Sequence, residues 1–149
     1  MSTRFALDIS KFVNKAKNNI DQVVRKVVID LGSRVVQKSP VGDASYWISP
    51  PPPGYVGGRF RGNWQFGLDQ IPQGDLPDID ASGRASIGRV TTGMLSAPIG
   101  HVYYLMNNLP YSERIENGWS HRQAPQGVVH LTVMEFKSIV DGAASQVNK

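Results

Sequence analysis

The residue types that could perform chemistry are few in this sequence, and they do not form a catalytic pattern. The three histidines are His101, His121 and His130, and no two of them stand four residues apart with a glutamate between them. The chain has no cysteine, which excludes disulfides, thiolate nucleophiles and iron–sulfur clusters. A zinc site would need all three histidines from separate elements. The sequence therefore predicts no metal and no cofactor.

The acidic and glycine-rich segments also lack the spacing of a known site. Asp75, Asp78 and Asp80 are close in sequence, but the glycine and terminal glutamate of a calcium loop are missing, so turn and helix-capping roles are expected. The glycines of residues 54–62 end in no Lys-Ser/Thr pair and are expected to precede a strand, so neither nucleotide fingerprint fits. No segment resembles the strained turn that exposes a catalytic serine. We expect a protein that is not an enzyme.

The composition is that of one folded domain. The chain has 149 residues, of which 40% are apolar and 19% charged, so it can form a modest core and fits a single domain over residues 1–149. No window approaches 18 uninterrupted apolar residues, and the first residues lack a basic region followed by an apolar core. We therefore expect a soluble, non-exported protein without a membrane partner.

A long amphipathic helix is predicted over residues 8–37. Apolar side chains recur every three or four residues from Phe5 to Leu31, Asp8 or Ser10 can cap the start, and Pro40 ends the helix. At about 1.5 Å per residue the helix would be about 45 Å long, which exceeds the expected width of such a domain. Part of the apolar stripe is therefore expected to need a partner.

Positive charge is concentrated in this helix. Residues 1–38 carry eight basic and three acidic side chains, whereas the rest of the chain carries eight basic and nine acidic ones. The basic residues expected opposite the apolar stripe are Lys11, Lys15, Arg25 and Lys26. This side of the helix is either a face for DNA or an acidic partner, or an ordinary solvated face.

Residues 41–62 are predicted to form a long extended arm. Four consecutive prolines at residues 50–53 favour polyproline II and forbid both helix and central strand. Long loops in small domains are usually functional or disordered, so a docking arm is favoured over a surface loop folded back on its own body. The interface residues proposed for the arm are Tyr46, Trp47, Pro51, Pro52, Tyr55, Arg59 and Arg61. Arg59 and Arg61 flank an aromatic residue, a combination that could also bind phosphates and bases.

Residues 63–149 are predicted to form an α+β body. The expected elements are strands at residues 63–68 and 101–106, helices at 82–95 and 111–117, and a terminal helix at 129–147. Its apolar seam is expected to run through Val129, Val133, Phe136, Val140, Ala143 and Val147. Residues 128–133 would suit a third strand equally well, and otherwise a neighbouring chain would share the sheet edge, because a two-stranded ribbon is marginal in water.

Two blocks of sequence resemble a known family. The first contains Ser-Pro-Val-Gly-Asp at residues 39–43 and Pro-Gly-Tyr-Val-Gly-Gly-Arg-Phe-Arg-Gly-Asn-Trp-Gln at 53–65. The second contains Asn-Asn-Leu-Pro-Tyr at 107–111, Ile-Glu-Asn-Gly-Trp-Ser at 115–120, Gln-Ala-Pro at 123–125 and Gly-Val-Val at 127–129. Together they resemble the tail-completion or neck proteins of tailed double-stranded DNA bacteriophages, in the family's order, over roughly residues 35–136.

The resemblance implies a virion structural protein without catalytic residues. It would form a ring of identical copies, hexameric in our expectation, around the DNA channel at the head-tail junction, after assembly in the host cytoplasm. Its partners would be other copies, the head-tail connector, tail-tube or terminator proteins, and the DNA in the channel. In the family a Pro-Val-Asp-Thr-Gly-Arg stretch leads directly into the first strand, whereas here the arm separates Asp43 from Gly58 and Arg59. A tail terminator and a sequence-independent DNA-binding module are the alternatives.

Overall fold

The computed structural model describes residues 3–148, with side chains at residue 11 and residues 14–148, and has an α+β architecture. A 3-10 turn at Ala44–Tyr46 lies in the arm. The helices and strands, in chain order, are α1 (Thr3–Lys38), α2 (Arg59–Gly62), β1 (Trp64–Leu68), α3 (Arg84–Ser96), β2 (Tyr103–Asn107), α4 (Ser112–Glu116), α5 (Val129–Met134) and α6 (Phe136–Val147).

The predicted long helix is confirmed as α1, although it begins at Thr3, earlier than expected. Its end follows the sequence signal: Ser39 and Pro40 are buried directly after Lys38, and Ser39 Oγ donates to the Val35 carbonyl at 2.6 Å. The apolar residues Phe5, Ile9, Phe12 and Val13 and the predicted caps Asp8 and Ser10 lie outside the described side chains. From Val27 onward the apolar stripe of the helix is packed into the body.

The two predicted strands pair antiparallel, with Trp64 opposite Asn107 and Leu68 opposite Tyr103. Within residues 3–148 the sheet contains only these two strands. The alternative of a third strand at residues 128–133 is wrong, because this segment forms α5. The Glu116 carboxylate explains the outcome, since it accepts the first backbone N–H groups of the helix.

Helix α3 begins at a carboxylate, as the aspartate-rich connection indicated. Asp80 Oδ1 accepts the Gly83 N–H at 3.0 Å and Oδ2 accepts the Ser86 N–H at 2.9 Å. Burial raises the pKa of Asp80, but these N–H donors outweigh it and hold the pKa below its usual value. Val90 and Met94 face the core, whereas Leu95 is exposed.

The predicted seam of the terminal helix is wrong for its first half. Val129, Val133 and Phe136 are exposed, and the segment is divided into α5 and α6 at Glu135. The side that faces the body lies one residue earlier at Val128, Thr132, Glu135 and Ile139, whereas Ala143 is buried as predicted. Glu135 pairs with Arg34 and Lys38 of α1, and Ile139 and Ala143 pack with Val27 of the same helix. The exposed apolar residues therefore form an outer face on α5 and α6.

The main core lies where α1, α2 and β1 meet the segment that follows β2. Trp64 and Phe60 approach edge to face, with ring centroids 6.0 Å apart. Its buried apolar members are Val35, Val36, Phe60, Trp64, Leu109, Ala124 and Val128. This core fixes the two walls of the groove described next, because Phe60 ends one wall and Leu109 precedes the other.

Candidate interaction surface

A large groove lies between the arm and the segment at residues 111–123. It encloses about 780 Å³, and we call it the aromatic groove. A cavity of this size falls in the range of roughly 300–1,000 Å³ that is typical of ligand sites. Its aromatic lining residues are Tyr46, Trp47, Tyr55, Phe60, Tyr111 and Trp119. Its polar lining residues include Asp43, Arg59, His121, Arg122 and Gln123.

The arm wall is built from a short turn and an aromatic pair. Asp43 Oδ1 accepts the Ser45 N–H at 2.9 Å, which holds the 3-10 turn that presents Tyr46. The rings of Trp47 and Tyr55 lie 4.7 Å apart at a tilt of 55°. The Tyr55 hydroxyl lies so close to Gly42 that a side chain there would collide with it. The two ends of the arm therefore pack against each other, while its aromatic faces stay partly exposed.

Gln123 joins the arm to the opposite wall. Its Oε1 accepts the Val41 N–H at 2.7 Å and its Nε2 donates to the Val41 carbonyl at 2.8 Å. These two bonds fix the width of the groove at its base, although the residues are 82 positions apart in sequence. Gln123 was not predicted as a functional residue, because no local pattern in the sequence indicates a pairing at such a separation.

The second wall carries two cations held against aromatic rings. The Arg122 guanidinium lies 4.3 Å from the centroid of Tyr46, and that of Arg114 lies 5.0 Å from the centroid of Trp119. Trp119 is 65% exposed, which is unusual for the largest apolar side chain. Tyr111 and Trp119 were noted in the sequence as part of the second family block, but their place in a shared groove was not foreseen.

The structure distributes the predicted interface residues over two places. Tyr46, Trp47, Tyr55 and Arg59 line the groove, and Arg59 also pairs with Asp75 at 2.7 Å. Residues 48–53, which include Pro51 and Pro52, do not line it and are exposed. We call residues 48–53 the proline tip.

Arg61 has a different position from the one expected. Its guanidinium donates to the carbonyls of Ser39 at 2.7 Å, Ala81 at 2.7 Å and Gln37 at 3.2 Å. These bonds satisfy the end of α1 and tie it to the start of α3. The glycine segment precedes strand β1 as expected, but it first opens α2, a single helical turn that was not predicted. Arg61 therefore fixes the fold, and the extended arm ends before Arg59.

The predicted basic face is divided in the same way. Lys11 and Lys15 are exposed, together with Lys17. Arg25, by contrast, donates to the carbonyls of Met94 at 2.6 Å and Ala97 at 2.8 Å and so caps the end of α3, which corrects its placement opposite the apolar stripe. Lys26 pairs with Asp30 at 3.2 Å. Of the four predicted basic residues, only Lys11 and Lys15, on the first half of α1, are exposed.

Several carboxylates and His101 form ion pairs or hydrogen bonds within the fold. Asp78 pairs with Arg89 and Asp75 with Arg59, while His101 Nδ1 lies 2.6 Å from Asp69. Among the described residues, no three side chains of the metal-binding types are grouped closely enough to hold an ion.

None of the described helices is both long and apolar enough to cross a bilayer.

The aromatic groove combines apolar ring faces with few charged side chains, of which Asp43, Arg59 and Arg122 already have contacts within the chain. Such a surface is suited to binding an extended segment of another chain by contact with ring faces.

Comparison of the sequence and the structure with protein-family models, curated proteins and solved structures finds no match.

Proposed function

We propose that this chain is a structural component of the head-tail junction of a tailed double-stranded DNA bacteriophage. Identical copies would form a ring around the DNA channel and join the tail to the head. The two sequence blocks that resemble neck and tail-completion proteins suggest this role. The observation that carries it is the exposure of residues 14–20 of α1, which the rest of the chain leaves mostly uncovered.

The side chains of residues 14–18 are all exposed, Ile20 is 61% exposed, and Val27 is the first buried side chain within residues 14–38 of α1. At about 1.5 Å per residue, the 36 residues of α1 span about 54 Å. Helices gain most of their stability by packing an apolar face against a neighbour. A segment of this length that lacks such packing in the monomer would gain it from an adjacent subunit.

Two further surfaces support assembly. The outer face of α5 and α6 exposes Val129, Val133, Met134 and Phe136, at spacings that place most of them on one side of a helix. The two-stranded sheet leaves backbone groups for pairing, because each described strand has one neighbour only. Contiguous apolar surface and open strand edges are features of subunits that associate. In a ring, identical subunits contact each other through different surfaces, which agrees with several separate exposed patches.

The direct test is to locate the chain in the particle. An antibody against the full chain, coupled to gold, should label purified particles at the head-tail junction in electron micrographs. Label along the tail shaft, or particles that lack the chain altogether, would contradict the proposal.

The gene neighbourhood is a second test. Genes for portal, head or tail-tube proteins should flank the reading frame, whereas a metabolic operon around it would count against the proposal.

A tail terminator is the alternative within the same class, and loss of the chain separates the two roles. Without a terminator, tail tubes would continue to grow and become longer than normal. Without a joining component, tubes would keep their normal length and fail to attach to heads. Measured tube lengths in a deletion strain therefore distinguish the roles.

A sequence-independent DNA-binding module is the candidate from another class. The observation that favours it is the exposed group of Lys11, Lys15 and Lys17 on α1. Such a module would bind duplexes of any sequence, and the logarithm of its affinity would fall steeply with salt. Substitution of the three lysines by glutamine should abolish this binding, with Lys137→Gln on α6 as the matched control, because Lys137 is exposed and pairs with Asp141. If the chain binds no duplex at low salt, this candidate is excluded.

A further inference from the structure

The aromatic groove and the proline tip occur on the same chain but do not meet within it. The groove is lined by residues on both sides of the tip, among them Trp47 and Tyr55, while residues 48–53 lie outside it. Ile48 is fully exposed, and the four prolines that follow it are exposed as well. One chain therefore presents an apolar segment without cover and an apolar groove that this segment does not fill.

The chemistry of the groove matches that of a proline run. Consecutive prolines adopt polyproline II, a preformed helix with three residues per turn that loses little entropy on binding. Such helices dock into grooves lined by aromatic rings, against whose faces the prolines pack. Tyr111 and Trp119 on one wall and Tyr46 on the other provide such faces. Tyrosine hydroxyls and the indole N–H of Trp119 can donate to the carbonyls that a polyproline helix leaves without partners.

Charge complementarity also favours this occupant. The proline tip carries no charge. Three charged side chains of the groove already have contacts within the chain, since Arg59 pairs with Asp75, Arg122 lies over the Tyr46 ring, and Asp43 accepts the Ser45 N–H. An uncharged segment would leave these pairs intact, whereas a charged peptide would have to compete with them. A neutral, proline-rich segment is therefore the best electrostatic match.

We infer that the aromatic groove of one copy binds the proline tip, residues 48–53, of a second copy. Each copy then offers its own tip to the next, which makes a head-to-tail contact. This inference rests on the proposed function, because it names the contact that would connect neighbouring subunits of the ring. It also explains the departure from the family pattern, since the insertion between Asp43 and Gly58 supplies the segment that is bound.

The test is a titration of the full-length, isotope-labelled chain with the peptide Ile-Ser-Pro-Pro-Pro-Pro-Gly, residues 48–54 of the sequence. NMR reports the indole N–H signals of the three tryptophans separately. The Trp119 signal should shift and saturate, whereas the Trp64 signal should not move, because Trp64 is buried and bonded to Ser39. The same peptide with alanine at the four proline positions should bind at least about tenfold more weakly, since it lacks the preformed helix.

Variants provide the second arm of the test. Trp119→Ala should weaken peptide binding by at least about tenfold while the chain stays folded, because Trp119 is mostly exposed. Phe136→Ala is the matched control, since Phe136 is an exposed aromatic residue outside the groove, and it should leave the binding unchanged. Equal binding of both peptides, or no saturable shift of Trp119, would overturn the inference.

Crosslinking tests whether the contact joins separate copies. Because the chain has no cysteine, the double variant Pro52→Cys/His121→Cys places one thiol in the tip and one in the groove. Oxidation at high protein concentration should give a ladder of disulfide-linked oligomers, and monomer alone would contradict the inference. If gold labels the junction but the peptide does not bind, the contact between groove and tip is wrong and the proposed function stands. If the peptide binds but gold does not label the junction, the proposed function is wrong and the contact stands.

Discussion

Trp64 donates its indole N–H to the hydroxyl of Ser39 at 2.7 Å, and both residues are buried. The same hydroxyl donates to the Val35 carbonyl at 2.6 Å, so one serine connects the last turn of α1 to the first strand. The two residues are 25 positions apart, with the whole arm between them. This bond holds the two ends of the arm together, and it therefore sets the starting geometry of the aromatic groove.

Replacement of Ser39 by alanine is expected to destabilise the fold. It would leave the Trp64 N–H without a partner in a buried site, which costs about 1–3 kcal/mol. The measurement is the free energy of unfolding from urea denaturation. Ser138→Ala is the control, because Ser138 is exposed on α6 and its loss should change stability by less than about 0.5 kcal/mol. If the two variants are equally stable, the hydrogen bond between Trp64 and Ser39 does not stabilise the fold.

Gly32 lies where α1 packs closely against α3. A Cβ added there would lie 2.5 Å from Val90 Cγ1, and Val90 is buried and stiff. Gly32→Ala should therefore destabilise the chain by about 1–3 kcal/mol, although alanine favours helix. Gly88→Ala in α3 is the matched control, because nothing surrounds that position, and it should stabilise by up to about 1 kcal/mol. The unfolding temperature should fall for Gly32→Ala and rise for Gly88→Ala. A higher unfolding temperature for Gly32→Ala would contradict the close contact between α1 and α3.

Glu116 makes the stability sensitive to acid. Burial raises its pKa, but the N–H groups of His130, Val128 and Val129 outweigh this effect and hold the pKa below the usual value of 4.5. A depressed pKa in the folded state stabilises the fold above the unfolded-state pKa, and this contribution is lost as the pH falls through the folded-state value. Glu116→Gln should therefore lower stability at pH 7 and make the acid limb of the curve shallower.

The measurement for Glu116 is the difference in unfolding free energy between the original chain and the variant from pH 7 to pH 3. This difference should narrow as the pH falls, because protonation removes the same charge that the substitution removes. A difference that stays constant over the range would show that the carboxylate charge does not stabilise the start of α5.

The arm should serve assembly more than folding. Trp47 and Tyr55 are 43% and 38% exposed, so replacement of both by alanine should leave the monomer folded and weaken association, through loss of large aromatic contact area. Sedimentation velocity measures the association and circular dichroism the fold. Ile71→Ala, at an exposed apolar position outside the groove, is the control. An equal loss of monomer stability would assign the arm to the subunit's own core.

The sequence was sufficient to predict the elements whose periodicity is simple. The long α1 and the paired strands β1 and β2 follow from their apolar patterns, and their locations are confirmed. The first half of the apolar seam predicted for the terminal helix was misplaced by one residue, because the side that faces the body includes two polar residues. Thr132 donates its hydroxyl to the Val128 carbonyl, and Glu135 pairs with α1, so both are polar and still face the body.

The candidate site could be predicted only in part. Aromatic and proline residues marked the arm, because such residues are rarely exposed without a reason. The opposite wall could not be found, since Gln123 and Arg122 contact arm residues more than 70 positions away. The roles of Arg25 and Arg61 were missed for the same reason, because both donate to carbonyl groups at helix ends that only the folded chain brings near.

The most direct test of the central claim is a density map of the native particle at side-chain resolution. The account predicts a ring of this chain at the head-tail junction, with the first half of α1 covered by a neighbouring subunit. A map in which the chain is absent from that junction, or stands there as a single copy with this helix uncovered, would contradict it.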